Sequence, residues 1–167
     1  MRKKPAPEKP VFIDANIFLS IIFDDPENSG PSVSLLEQVH DGIIQGATSV
    51  LVLNEVLHRL LIAEAVQNSS LTPESAVLYL KTHPAFVMNA LRARGLLDDI
   101  RSIRNLQILG ISEQTFVRSL GVMHESGLLS NDALHVASMD EHSIDTIATY
   151  DRDFGRVSRV TVFRSAG

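Results

Sequence analysis

The chain has 167 residues, 44% of them apolar and 21% charged, which suits one soluble globular domain large enough to close a core without staples. It contains no cysteine, which excludes a disulfide scaffold, a thiolate nucleophile and a Cys-ligated zinc or iron–sulfur site. Its net charge is −5, against the basic balance usual for nucleic-acid binders, so contact with a polyanion requires local basic patches or bound metal ions.

Residues 1–9 carry Arg2, Lys3, Lys4 and Lys9 against Glu8 and read as a disordered basic tail ahead of a domain at 10–167. No apolar h-region follows this start, and no apolar run approaches the ~18 residues of a membrane span. A cytoplasmic protein without membrane contact is expected. Pro10-Val11-Phe12-Ile13-Asp14 is a short β-rich run ending in an acid and predicts a buried first strand. Asn16 to Phe23 is strongly apolar and is broken at Asp24-Asp25-Pro26. Val33, Leu35, Leu36 and Val39 give residues 31–40 helical spacing. Gly42 and Gly46 precede a short strand, Ala47-Thr48-Ser49, and Thr48 or Ser49 can cap a helix over 50–67. Thr72-Pro73-Glu74 opens the next helix with a cap, a proline in the first turn and an acid at the positive dipole end. That helix stops near His83-Pro84, and a long helical region from Phe86 to Ile103 follows, with Gly95 its weak point. Leu106 to Leu109 predicts a strand, and Ser112 begins a helix that Gly127 stops. Ser130-Asn131-Asp132 starts a further helix to about His142, with Ser130 reading as its cap. Asp145 to Thr149 is a strand, Asp151 to Phe154 a turn, and Val160 to Phe163 a last strand. Strands alternating with helices predict an α/β fold, three layers α/β/α, with a mostly parallel central sheet.

Ligands of open α/β sheets bind beyond the carboxyl ends of the strands. Asp14 follows the first strand, and Asp151 and Asp153 follow the strand ending at Thr149. Asp132 and Glu55 lie near the starts of helices that open on the same edge. Some of these acids have a plain structural reading: Asp132 as a cap, Asp153 as a turn residue, Glu55 on a solvated helix face. Asp14 is harder to explain that way, set among Phe12, Ile13, Ile17 and Phe18. Glu55 lies inside Val-Leu-Asn-Glu-Val-Leu, where a charge is costly unless solvated or paired. Carboxylates gathered in one place stay ionised together only with a compensating cation. Oxygen ligands without cysteine favour Mg²⁺ or Mn²⁺, either of which neutralises a phosphodiester and activates water for in-line attack.

Four segments carry a family resemblance: Ile13-Asp14-Ala15-Asn16-Ile17, the run from Ser49 to Val56 containing Glu55, the run from Leu129 to Ala137 containing Asp132, and the run from Ile147 to Phe154. Their order and spacing, over nearly the whole chain from Val11 to Phe163, resemble the PIN-domain nucleases, most closely the VapC-like toxins of toxin–antitoxin pairs. The resemblance implies a Mg- or Mn-dependent endoribonuclease acting on RNA. It implies an acidic quartet of Asp14, Glu55, Asp132 and Asp151, with Asn16 and Thr149 as supporting polar residues and Asp153 as an additional acid. It also implies a homodimer and a small antitoxin whose peptide enters the active-site groove. Ala15 departs from the pattern, standing where Thr or Ser is common. The region from Thr72 to Ile103 is the least family-like.

Arg152, Arg156 and Arg159 adjoin the acids at the last turn and are candidates for phosphate contact, with Arg164 beyond them. His135, three residues after Asp132, shares its helical face and reads as a core or supporting imidazole. Phe18, Ile21, Ile22 and Phe23, with Leu57, Leu60 and Leu61, serve a core or a dimer patch. A haloacid-dehalogenase-type phosphatase needs a second acid two residues after the first, where this chain has Asn16. A receiver domain needs an aspartate after the Leu106–Leu109 strand, where this chain has Gly110. The remaining rival is a catalytically silent PIN-like module that binds RNA or a partner, which a metal titration separates from the enzyme.

Overall fold

A computed structural model describes residues 9–69 and 71–163. Most of the expected basic tail, residues 1–8, and Arg164 lie outside the described residues. The chain divides into two compact units, Met1–Val52 with Ile103–Gly167, and Leu53–Ser102. In chain order the elements are β1 (Val11–Ile13), α1 (Ala15–Ile22), α2 (Ser29–His40), β2 (Gly46–Ser49), α3 (Val50–Ser69), α4 (Pro73–Thr82), α5 (Pro84–Met88), α6 (Leu91–Arg101), β3 (Leu106–Leu109), α7 (Glu113–Ser126), α8 (Ser130–Glu141), β4 (Thr146–Ala148) and β5 (Thr161–Val162).

The five strands belong to the larger unit and form one all-parallel sheet in the order β3-β2-β1-β4-β5. β1 lies at the centre, with Phe12 opposite Ala47 on one side and Ile147 on the other. Every residue of β1 and β2 is buried, the pattern of strands covered on both faces. The steps β1→β2→β3 move one way across the sheet, whereas β3→β4 crosses to the far side of β1. Right-handed crossovers place the helices of opposite-going steps on opposite faces. α1 and α2 therefore cover one face, α7 and α8 the other, which makes three layers, α/β/α. The stepping direction reverses between β1 and β4, and the crevice beyond their carboxyl ends is the place where this architecture binds ligands.

Packing fixes that edge. Phe12, Ile13, Phe18, Leu109, Met139, Ile147 and Phe154 are all nearly inaccessible to solvent. Gly46 is required by a close approach: a Cβ there would stand 2.8 Å from Val39 Cγ1 and 3.1 Å from Leu106 Cδ1. Of the two candidate caps for α3, Ser49 serves, its Oγ accepting from Val52 N at 3.2 Å. Thr48 instead donates to the Ile13 carbonyl at 2.9 Å, tying β2 to β1. α7 opens with a reciprocal Ser112–Thr115 capping box and ends at Gly127, whose φ of 69° suits a residue without Cβ. α8 starts two residues before Asp132: Leu129 occupies the cap position, and Ser130 is the first helical residue rather than the cap. α2 likewise starts at Ser29, with Pro31 tolerated in the first turn because no intrahelical donor is needed there.

In the smaller unit, α4 is opened by reciprocal bonds between Thr72 and Ser75. The single helical region expected over 86–103 is two helices, and the break falls at Asn89-Ala90 rather than at Gly95. Asn89 causes it: its Nδ2 donates to the Ala85 carbonyl at 2.8 Å and its backbone N–H is shared between Ala85 and Phe86. An asparagine that satisfies its own preceding carbonyls ends a helix more effectively than a mid-helix glycine, which costs only about 1 kcal/mol. No helix among the described residues is long and apolar enough to cross a membrane.

Candidate active site at the sheet switch point

Asp14 is the residue after β1. Its N–H donates to the Ala148 carbonyl at 3.1 Å, extending the β1–β4 ladder by one rung before α1 begins. The side chain is only 7% exposed, and a buried carboxylate requires donors. The structure supplies three. Oδ1 accepts from Ala15 N at 2.7 Å, while Oδ2 accepts from Asn16 Nδ2 at 2.8 Å and from Thr149 Oγ1 at 2.6 Å. Asn16 also gives an Nδ2 hydrogen to Thr149 Oγ1 at 2.9 Å, and its Oδ1 accepts from Tyr150 N at 3.1 Å. Thr149 Oγ1 accepts a further bond from Asp151 N at 3.0 Å. Both hydrogens of the Asn16 amide, its oxygen, and the hydrogen and both lone pairs of the Thr149 hydroxyl are thus engaged, in a pattern that only one amide orientation satisfies.

This network brings together Asp14, Asn16, Thr149 and Asp151. Asp151 is exposed, and its Oδ1 accepts from Asp153 N at 2.8 Å, shaping the turn. Asp153 begins a 3-10 turn, Asp153–Arg156, and pairs with Arg156 at 2.9 Å. Asp132 is half-buried in the first turn of α8. One turn on, the buried His135 ring lies 5.7 Å from Phe12. Phe12 and Asp14 face the same side of the sheet, about 6.6 Å apart along the strand. Asp132 lies about 4.5 Å along α8 from His135, on the helix whose His135 ring meets Phe12 of β1. Glu55 belongs to the other unit, half-buried in the second turn of α3.

Among the described residues no three acidic or histidine side chains close around one point as a ready-made metal cage. The donors at the edge are carboxylate and hydroxyl oxygens. Such a set suits a hard cation held by one or two carboxylates that keeps several of its waters, the habit of Mg²⁺, rather than a closed tetrahedral site.

The three arginines differ. Arg152 is exposed and makes no ion pair among the described residues. Arg156 pairs with Asp153 and donates to the Gly127 carbonyl at 3.4 Å. Arg159 forks onto Asp140, Nε to Oδ1 at 3.0 Å and Nη2 to Oδ2 at 2.7 Å, with Glu125 at 3.8 Å. The hydrogen bond with Asp140 raises the Arg159 pKa above its ordinary value. Tyr150 was not singled out in the sequence, yet it ties the site to α2: its hydroxyl donates to the Asn28 carbonyl at 2.9 Å and bonds Ser32 Oγ at 2.8 Å. Nothing in its sequence position distinguishes it from any exposed tyrosine after a strand. A cleft of about 370 Å³ opens beside the network, lined by Ile17, Ser32, Thr149, Tyr150, Asp151 and Arg152 among others.

Solved structures similar to this chain include the toxin VapC20 of Mycobacterium tuberculosis, described as cleaving the sarcin–ricin loop, at 15% identity and TM-score 0.58, covering 89% of this chain and 95% of that one. VapBC2 of Rickettsia felis, solved bound to a DNA fragment from its promoter, matches at 17% identity and TM-score 0.57 over 92% of this chain and 96% of that one. A toxin–antitoxin complex of Klebsiella pneumoniae matches at 19% identity and TM-score 0.53 over 90% of this chain and 95% of that one. At these identities the likeness is one of fold. No curated protein sequence matches. The family model described as the PIN domain matches residues 11–160, from β1 to the residue before β5, and the chain belongs to the PIN-domain family.

Proposed function

We propose that this chain, over residues 10–167, is a divalent-metal-dependent endoribonuclease that hydrolyses RNA phosphodiester bonds and serves as the toxin of a type II toxin–antitoxin pair. The family assignment and the toxin neighbours support the nuclease class. The observation that carries the reading is the buried Asp14 carboxylate, held by three donors at the switch point and tied through Thr149 to the acid-bearing turn at Asp151.

In this reading Asp14, Asp132 and Asp151 hold the ion, directly or through its waters, with Glu55 as the fourth acid of the quartet on the family resemblance. A bound Mg²⁺ or Mn²⁺ supplies an activated water and neutralises charge on the scissile phosphate. Asn16 and Thr149 fix the plane of the Asp14 carboxylate, so that no reorganisation is needed when RNA arrives. Asp153 holds the turn through its N–H on Asp151. Of Arg152, Arg156 and Arg159, the main phosphate contact falls to Arg152, because the other two guanidiniums are already paired. A small antitoxin is the proposed protein partner, and a homodimer the proposed assembly. The exposed apolar residues Phe116, Val117 and Leu120 on α7 offer a surface for the second copy.

Purified full-length chain incubated with single-stranded RNA tests this. Cleavage that requires Mg²⁺ or Mn²⁺, stops with EDTA and is lost in Asp14→Asn is expected; a fully active Asp14→Asn protein overturns it. The second reading is a silent RNA- or partner-binding module. Tight RNA binding indifferent to metal, without cleavage, would establish it.

A further inference from the structure

Within the Leu53–Ser102 unit, α3, α4, α5 and the Asn89-Ala90 link to α6 line an open depression of about 660 Å³. Its lining includes Glu64, Asn68, Tyr79, His83, Phe86 and Asn89. Glu64 Oε2 is buried and has no hydrogen-bond partner among the described residues. A carboxylate oxygen withdrawn from water without a donor is among the more costly features a fold can keep. Glu64 therefore calls for a donor from outside the chain.

Part of the lining is aromatic. The rings of Tyr79 and His83 stack with centroids 3.9 Å apart and 17° between planes, and Phe86 meets Tyr79 edge-on at 5.7 Å. His83 Nδ1 lies 2.9 Å from the Tyr79 carbonyl and 3.0 Å from Thr82 Oγ1. The depression thus offers a carboxylate acceptor beside stacked π faces. The amides of Asn68 and Asn89 each give one Nδ2 hydrogen to a backbone carbonyl, Glu64 O and Ala85 O, at 2.8 Å, and neither bonds Glu64 Oε2.

We infer that this depression is a binding site for a guanidinium group, presented as an arginine side chain by a partner polypeptide. A guanidinium supplies several donors in one plane and stacks on aromatic faces, which an ammonium does not do equally well. The openness of the site suits a side chain delivered from a partner's surface rather than an engulfed small molecule. This assignment is independent of the proposed nuclease activity, since none of its residues belongs to the acidic quartet or its supporting network.

The probe is acetyl-arginine-amide titrated into ¹⁵N-labelled full-length protein, followed by amide chemical shifts. Saturable shifts centred on Tyr79, His83 and Asn89 are expected. Acetyl-citrulline-amide, which keeps shape and planarity but not charge, should bind about tenfold more weakly, the loss of one charge-assisted hydrogen bond. Glu64→Gln should cost the arginine probe a similar factor. Equal binding of the two probes, shifts scattered over the acidic surface, or no saturation each overturns the assignment. The citrulline comparison uses the unaltered chain and stands even if Glu64→Gln fails to fold.

Discussion

Thr149→Val isolates the one hydroxyl that joins the two halves of the candidate site. Valine keeps the shape of threonine and removes a single oxygen. That oxygen donates to Asp14 Oδ2 at 2.6 Å and accepts from Asn16 Nδ2 and Asp151 N. Asp151 is exposed and Asn16 only half-buried, so water can replace those two bonds at little cost. Asp14 is 7% exposed and loses one donor to a charged group, a loss of about 1.5–3 kcal/mol. For a chain of this size that corresponds to a fall in Tm of roughly 3–12 °C. Urea denaturation near neutral pH, with circular dichroism and with Thr149→Ser as the control, measures it. Serine retains the oxygen and should recover most of the loss. A Thr149→Val protein within about 0.5 kcal/mol of the parent, the spread of ordinary surface changes, would refute the view that Thr149 holds the Asp14 carboxylate in place.

Gly46→Ala should destabilise by about 1–3 kcal/mol in the same assay, because the added methyl meets Val39 and Leu106 inside a packed sheet. In RNA cleavage assays Arg152→Gln should lower kcat/KM and flatten its dependence on salt, by about 0.7 in the log–log slope for one phosphate contact on a single strand. Arg159→Gln should leave both unchanged, since its guanidinium is engaged by Asp140. Lys9 bonds Asp145 at 2.6 Å, and this contact chiefly holds the Asp145 carboxyl below its usual pKa. A depressed folded-state pKa contributes stability above the ordinary carboxylate range and loses it as pH falls through the folded value. The pair is exposed, so Lys9→Gln should produce a small, salt-screened loss at neutral pH that vanishes in strong acid.

Much of the fold was legible because it rests on local chemistry. Thr72 and Ser112 sit where their hydroxyls cap helices, Gly127 takes the left-handed conformation a helix end requires, and the strand starting at Val11 is apolar on both faces because helices cover both. The break falls at Asn89 and not at Gly95 because a propensity scale ranks a mid-helix glycine as the weaker point and does not register an asparagine whose side chain turns back on its own helix. Serine favours the cap role, yet here the backbone of Leu129 is extended and the helix begins at Ser130 itself, one residue earlier than a Ser130 cap would place it. In the site, the acids at strand ends were visible as residue types out of keeping with apolar surroundings. What no spacing rule gave was the bonding between them. The Asn16–Thr149 bond spans 133 residues of sequence and depends on β1 lying beside β4. The same holds for Tyr150, whose part arises from the placement of α2.

The choice of substitution at Asp14 follows from its double position. The carboxylate is a candidate metal ligand and also the N-cap of α1, through the bond from Ala15 N. Asp14→Ala would remove both roles, and losing the cap alone costs about 1 kcal/mol, so an inactive alanine protein could simply be a less stable one. Asparagine is as good a cap as aspartate, but it replaces one carboxylate oxygen by an NH2 group, so part of the bonding from Asn16 and Thr149 is lost with the charge. The stability of Asp14→Asn in EDTA therefore reports that bonding, and the test of the metal role is the loss of the stabilisation that added Mn²⁺ gives the parent. Thermal melts of both proteins with EDTA and with Mn²⁺ read this directly. Equal Mn²⁺-induced shifts in the two would place the ion elsewhere and leave Asp14 as a structural cap alone.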